Sequence, residues 1–117
     1  MHDFVISYLE KLADLAYISH FKHSSVLREN LFKSLKTILK NLGKKKFRGH
    51  VDTFLDPAFR NAKKKEEQNM AIAAQEFILD MEKTYGQNIF KAIVESHDDR
   101  YVNDLNEYRE AGLRASK

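Results

Sequence analysis

Apolar side chains recur at the spacing of a helix face almost everywhere in this chain, and nowhere at the period of two that a half-buried strand requires. Val5, Tyr8, Leu9, Leu12, Leu15 and Ala16 fall at such intervals and predict a first helix over 4–18. Leu27, Leu31, Leu35, Ile38 and Leu42 repeat the pattern over 26–42, with Arg28, Lys33, Lys36 and Lys40 largely on the other faces. Ser24 and Ser25 stand where short polar side chains can accept hydrogen bonds from the free amides of a helix start. Met70, Ala73, Ala74, Phe77, Ile78 and Met81 mark a further face, as do Ile89, Phe90, Ile93 and Val94, and lastly Tyr101, Val102, Leu105 and Tyr108.

Helix breakers divide these stretches. Gly43 can take the left-handed conformation that ends the helix over 26–42, and the lysines gathered before it suit the negative end of a helix dipole. The stretch 44–50, Lys-Lys-Lys-Phe-Arg-Gly-His, reads as a basic connection, followed by one short helical turn at Val51, Phe54 and Leu55. Asp56-Pro57 reads as a helix start, a carboxylate cap followed by a residue whose missing N–H costs nothing there. The third helix would then run to about Tyr85, where Gly86 stops it, and Pro57 to Thr84 alone would be about 42 Å long at 1.5 Å per residue. Its first half, at 61–69, has almost nothing to bury and is either a helix projecting into solvent, the favoured reading, or a flexible loop. Asn88 can cap the next helix, Asp98 or Asp99 the last, and the tail from Gly112 should fray. The expected fold is all-α: a compact bundle of four to five helices in a single domain over 1–117, with a basic mid-chain connection and a long, partly projecting third helix.

Net charge is +3, and its distribution says more than its sum. Residues 22–65 hold thirteen lysines and arginines against three carboxylates, whereas 66–117 hold six against eleven. A middle near +10 flanked by acidic ends implies either an anionic partner or pairing of opposite charges, within one fold or between copies.

Several chemistries are argued down by what is missing. Without cysteine there is no disulfide, thiol nucleophile or thiolate zinc site. The residues three before the histidines that have one are Tyr17, His20, Phe47 and Val94, so the Glu-x-x-His of a bundle metal site is absent, and no metal or other cofactor is expected. Glu66-Glu67 and Asp98-Asp99 are adjacent and diverge on a helix instead of converging on one substrate atom. No phosphate-cradling glycine loop or nucleophile elbow occurs, so the chain reads as non-enzymatic. No run approaches a membrane span, and the interrupted apolar run at Phe4 has no basic residues before it, so it does not read as a signal peptide. A cytoplasmic protein with no membrane partner is the expectation.

The positive lead is a polyanion. Lys44, Lys45, Lys46 and Arg48 can neutralise backbone phosphates of DNA or RNA, with Arg60, Lys63, Lys64 and Lys65 extending the footprint; Phe47 could stack on an unpaired base if exposed, but the favoured reading has it packed inward. A glycine between a helix and a basic segment has the outline of helix-turn-helix, but Lys44 and Gly49 fall where that motif wants an apolar residue and an unbroken helix. The competing reading is a protein-interaction module, a homodimer or a subunit of a larger complex, in which lysines of the middle meet Glu76, Asp80, Glu82 or Asp104 across a contact.

Overall fold

The computed structural model describes residues 24–115, and every regular element in that span is a helix. The helix expected over 4–18, His20 and His23 lie outside the described residues. Helix α1 runs Ser24–Ala62 and is broken at Gly43, whose φ of 80° and ψ of 166° are far from helical. A 3-10 turn over Lys65–Glu67 leads into α2, Gln68–Tyr85, then α3, Gln87–His97, and α4, Arg100–Ala115.

The break at Gly43 is a reversal. Arg28 donates to the side chain of Asn61, thirty-three residues later, which requires the arm before Gly43 and the arm after it to lie antiparallel. Only a residue without Cβ takes this backbone conformation cheaply. The first arm turns Leu31, Phe32, Leu35 and Leu39 inward, and the second Phe47, Val51, Phe54, Leu55, Ala58, Phe59 and Ala62. On the facing α2, all six residues expected to be buried are buried. Phe77 meets Phe32 at 6.1 Å and Phe47 at 6.2 Å between ring centres, so one α2 side chain ties both arms together. A second aromatic corner joins the second arm to α4, where Phe59 stacks on Tyr101 at 4.5 Å and lies 6.2 Å from Tyr108.

The all-α bundle thus has four helices among the described residues, and its middle differs from expectation. Residues 44–55 are not a connection and a short turn; they are helix throughout, and Pro57 lies buried inside that helix instead of opening one. Proline in a helix interior costs about 3 kcal/mol. Burying Phe54, Leu55 and Phe59 on one continuous face contributes about 1.5–3 kcal/mol apiece and outweighs it. The carbonyl left without its donor is that of Thr53, an exposed position.

Nor does a long third helix project from the bundle. The helix stops at Ala62, whose carbonyl accepts from Gln75 Nε2 at 3.1 Å, while Asn61 Nδ2 turns back to the carbonyl of Pro57 at 2.7 Å. Lys64 and Glu67 then close tight turns on the carbonyls of Asn61 and Lys64. This polar stretch is held because Arg28, expected on an outer face, is only 1 % exposed and pairs with Glu67 at 2.9 Å. Three smaller differences follow. Ile89 is 60 % exposed instead of buried. No side chain caps α3, which starts directly after Gly86. Helix α4 continues through the expected frayed tail to Ala115, with Asp98 capping its start by accepting from the Arg100 amide at 3.0 Å.

Candidate nucleic-acid interface

The reversal at Gly43 decides what the lysines around it can do. Lys40 occupies the last turn of the first arm, where a cation complements the negative helix end. Lys44, Lys45 and Lys46 occupy the first turn of the second arm, where the free amides already carry about half a positive charge. All four side chains are exposed, and none makes an ion pair among the described residues. Three lysines at a helix start, with no carboxylate to relieve them, are a liability for the fold and a concentrated positive potential for a ligand.

Neighbouring elements enlarge this end. The Tyr85 hydroxyl donates to the carbonyl of Lys44 at 2.7 Å, which fixes the last turn of α2 beside the reversal and brings the exposed Lys83 with it. Partial burial pushes the Tyr85 hydroxyl above its usual pKa. Between the first arm and α2 runs a groove of about 330 Å³ lined by Lys36, Leu39, Lys40, Asp80, Lys83 and Thr84. Of its lysines only Lys36 is matched, by Glu76 at 3.1 Å and Asp80 at 3.9 Å.

The expected site residues divide into two groups. Lys44, Lys45, Lys46 and Arg48 share the reversal end, with Arg48 3.5 Å from Asp52 one turn on. Phe47 does not join them at the surface: it is fully buried, stacked on Phe54 at 6.3 Å, so it offers no face to a base. Arg60, Lys63, Lys64 and Lys65 lie at the opposite end of the second arm, nineteen residues or about 28 Å from Lys44 to Lys63 at 1.5 Å per residue. Lys63 there is held by Asp104 at 2.8 Å and sits 5.6 Å from the centre of the Tyr101 ring. Arg60 lies by the Tyr101 hydroxyl, and Lys64 is half-buried. One continuous footprint over 44–65 is therefore not what the fold builds. Sequence reading missed Lys40 and Lys83 as members of the basic end. The signal for Lys40 was its place four residues before Lys44, and for Lys83 its place in the turn that Gly86 terminates.

A polar seam runs down the second arm between the two ends. Asp52 and Asp56, one turn apart, flank His97 of α3, with Asp52 at 2.7 Å from Nε2 and Asp56 at 3.6 Å from Nδ1. The Tyr101 hydroxyl donates to Asp56 at 3.0 Å. The hydrogen bond from His97 holds the Asp52 carboxyl below its usual pKa, helped by the charge of Arg48. No group of three or more ligating side chains is arranged to hold a metal among the described residues, and no described helix is long and apolar enough to cross a membrane.

All four carboxylates named for pairing between copies are occupied within the chain. Glu76 and Asp80 meet Lys36, Asp104 meets Lys63, and Glu82, buried, takes a bidentate grip from Arg109. Set beside known proteins, the chain matches no family model, no curated protein and no solved structure.

Proposed function

We propose that this is a non-enzymatic helical binding protein that holds nucleic acid by its phosphates at the reversal end, through Lys44, Lys45 and Lys46 with Lys40, Lys83 and Arg48 beside them. The observation that carries the reading is the lysine triplet at a helix start, where the dipole opposes cations and none of the three makes an ion pair among the described residues. A sequence-independent grip on phosphates needs this kind of charge and nothing more elaborate.

The test is fluorescence anisotropy of labelled nucleic acid at two salt concentrations, with a Lys44/Lys45/Lys46→Ala variant alongside. Engagement of about four phosphates gives a slope of log K against log salt near −3.6. Binding should fall steeply with salt and disappear in the variant. Tight binding that ignores salt, or a variant that binds like the wild type, would remove the reading.

A second reading, a protein-interaction module, is favoured by one observation. An open groove of about 700 Å³ between the end of α1, α2 and α4 sets Ala62, Ala71, Ile72, Tyr108 and Ala111 beside five polar or charged lining residues, among them Lys63, Asp104 and Glu107, with Ile72 44 % exposed. Light scattering decides its self-associating form: a mass of 13.7 kDa at high concentration excludes a homodimer.

A further inference from the structure

Of the three tyrosines among the described residues, two commit their hydroxyls to the fold: Tyr85 donates to the carbonyl of Lys44, and Tyr101 to Asp56. Tyr108 is only 7 % exposed, yet its hydroxyl makes no hydrogen bond among the described residues. A tyrosine enclosed this far normally finds a partner for its hydroxyl, because a polar group with neither water nor a partner is unfavourable. Its ring is held by Phe59 at 6.2 Å, and its oxygen is not sealed in. Tyr108 lines the groove of about 700 Å³ between the end of α1, α2 and α4, so the groove is where that oxygen is open.

The rest of the lining says what chemistry would meet it. Ala62, Ala71 and Ala111 stand where three helices converge, and their short side chains leave a hollow edged by Ile72. The floor is therefore apolar and suits a methylene chain or a ring. Most polar groups of the lining are already taken: Gln75 donates to the carbonyl of Ala62 at 3.1 Å, and Lys63 pairs with Asp104 at 2.8 Å. Glu107 is exposed and makes no ion pair among the described residues. One lysine against two carboxylates leaves the lining negative beside the open hydroxyl. Asp104 and Glu107 lie near enough to that hydroxyl for their charge, added to burial, to hold it neutral beyond its usual range. A phenol oxygen keeps lone pairs to accept a hydrogen bond, and in a negative surrounding it favours a cationic donor over an anion.

We propose that this groove binds a small organic cation, a primary ammonium on an apolar chain or ring, its nitrogen donating to the Tyr108 hydroxyl and the Glu107 carboxylate and its apolar part lying over Ala71, Ile72 and Ala111. The proposal does not rest on the phosphate reading, whose lysine triplet lies at the other end of the second arm. The probe is n-hexylammonium, titrated into the isotope-labelled chain and followed by amide chemical shifts, with n-hexanoate at the same ionic strength as the control of opposite charge. Saturable shifts confined to the groove are expected, with a dissociation constant of about 1 mM for so small a ligand in an open site. The carboxylate should bind at least about tenfold more weakly, and Tyr108→Phe and Glu107→Gln should each weaken n-hexylammonium by about fivefold. Ala111→Leu, at an exposed position, should fill the hollow and abolish binding. Melting of Tyr108→Phe should be unchanged or higher, since the hydroxyl removed has no partner in the described fold, which separates loss of binding from loss of structure. No saturable binding, equal binding of n-hexanoate, shifts scattered over carboxylates outside the groove, or wild-type affinity in Glu107→Gln or Ala111→Leu each overturns the proposal. So does a melting temperature lowered by more than about 3 °C in Tyr108→Phe, which would assign the hydroxyl to the fold. All of these outcomes leave the phosphate reading to its own test.

Discussion

Arg28 is the residue at which burial and charge conflict most openly. Its side chain is wholly enclosed, donating to Asn61 and pairing with Glu67, which keeps a quarter of its side-chain surface in water. Enclosing a guanidinium costs several kcal/mol in lost hydration, so the arrangement holds only while its acceptors are present. The two halves of the pair should therefore respond unequally to substitution. Glu67→Ala leaves an enclosed cation short of its carboxylate and is expected to cost about 3 kcal/mol. Arg28→Met removes the charge along with its desolvation, fills much of the same space and lets Glu67 hydrate, but takes one donor from the buried Asn61 Oδ1, for a net cost of about 1–2 kcal/mol. Urea unfolding of the two variants checks this, and a larger loss in Arg28→Met than in Glu67→Ala would show that the pair is not governed by desolvation. Sequence reading placed Arg28 outside because an arginine on an amphipathic helix defaults to solvent. Its inward position depends on Asn61 and Glu67 arriving from a segment more than thirty residues away, which no local pattern announces.

At the scale of elements, the second arm of α1 separates what local pattern reveals from what it hides. Phe47, Val51, Phe54, Leu55, Ala58, Phe59 and Ala62 fall at helical spacing across the whole arm, as plainly as the faces of α2 and α4 that were read correctly. Gly49 and Asp56-Pro57 obscured it, because breakers weigh locally and burial is collected over the full length. The same error moved the lysines. Lys44, Lys45 and Lys46 were read as part of a basic connection; placed at the start of a helix, they oppose its dipole. The basic character of the candidate site and the inward packing of Phe47 were therefore legible, but the site's position at a helix start and its separation from Lys63 depended on the three-dimensional path. A stability measurement follows from the corrected placement. Lys45→Glu/Lys46→Glu replaces two unfavourable charges with favourable ones and is expected to raise stability by about 1 kcal/mol in total while abolishing nucleic-acid binding. A loss of stability in this variant would mean that the lysines support the fold, and the case for a ligand there would lose its basis.

For the molecule as a whole, the groups whose ionisation is linked to folding point to an alkaline weakness. On the acid side, the displaced carboxyls are Asp52, held down by His97, and Asp98, held at about 2 by Arg100. Their contributions are complete above the ordinary carboxyl range near 4 and are lost as pH falls through the lowered values. Both are largely hydrated, so this loss should be shallow. The tyrosines are different. Burial raises the hydroxyls of Tyr85, Tyr101 and Tyr108 above their usual value near 10, with Asp56 adding to the effect at Tyr101 and the charges of Asp104 and Glu107 at Tyr108. A raised acid stays neutral in the fold after it has ionised in the unfolded chain, so its contribution is full below about pH 10 and drains away as pH climbs toward the folded value. These side chains join separate parts of the bundle: Tyr85 ties α2 to the reversal end, while Tyr101 and Tyr108 carry α4 on Phe59. Unfolding followed by circular dichroism should therefore show a plateau through neutral pH and a cooperative loss above pH ~10, coincident with tyrosinate absorbance. Tyr108→Phe keeps the ring against Phe59 and removes the most displaced proton, so it should move the alkaline midpoint upward. An unchanged midpoint would place the alkaline weakness elsewhere than at the contact between α4 and the second arm of α1.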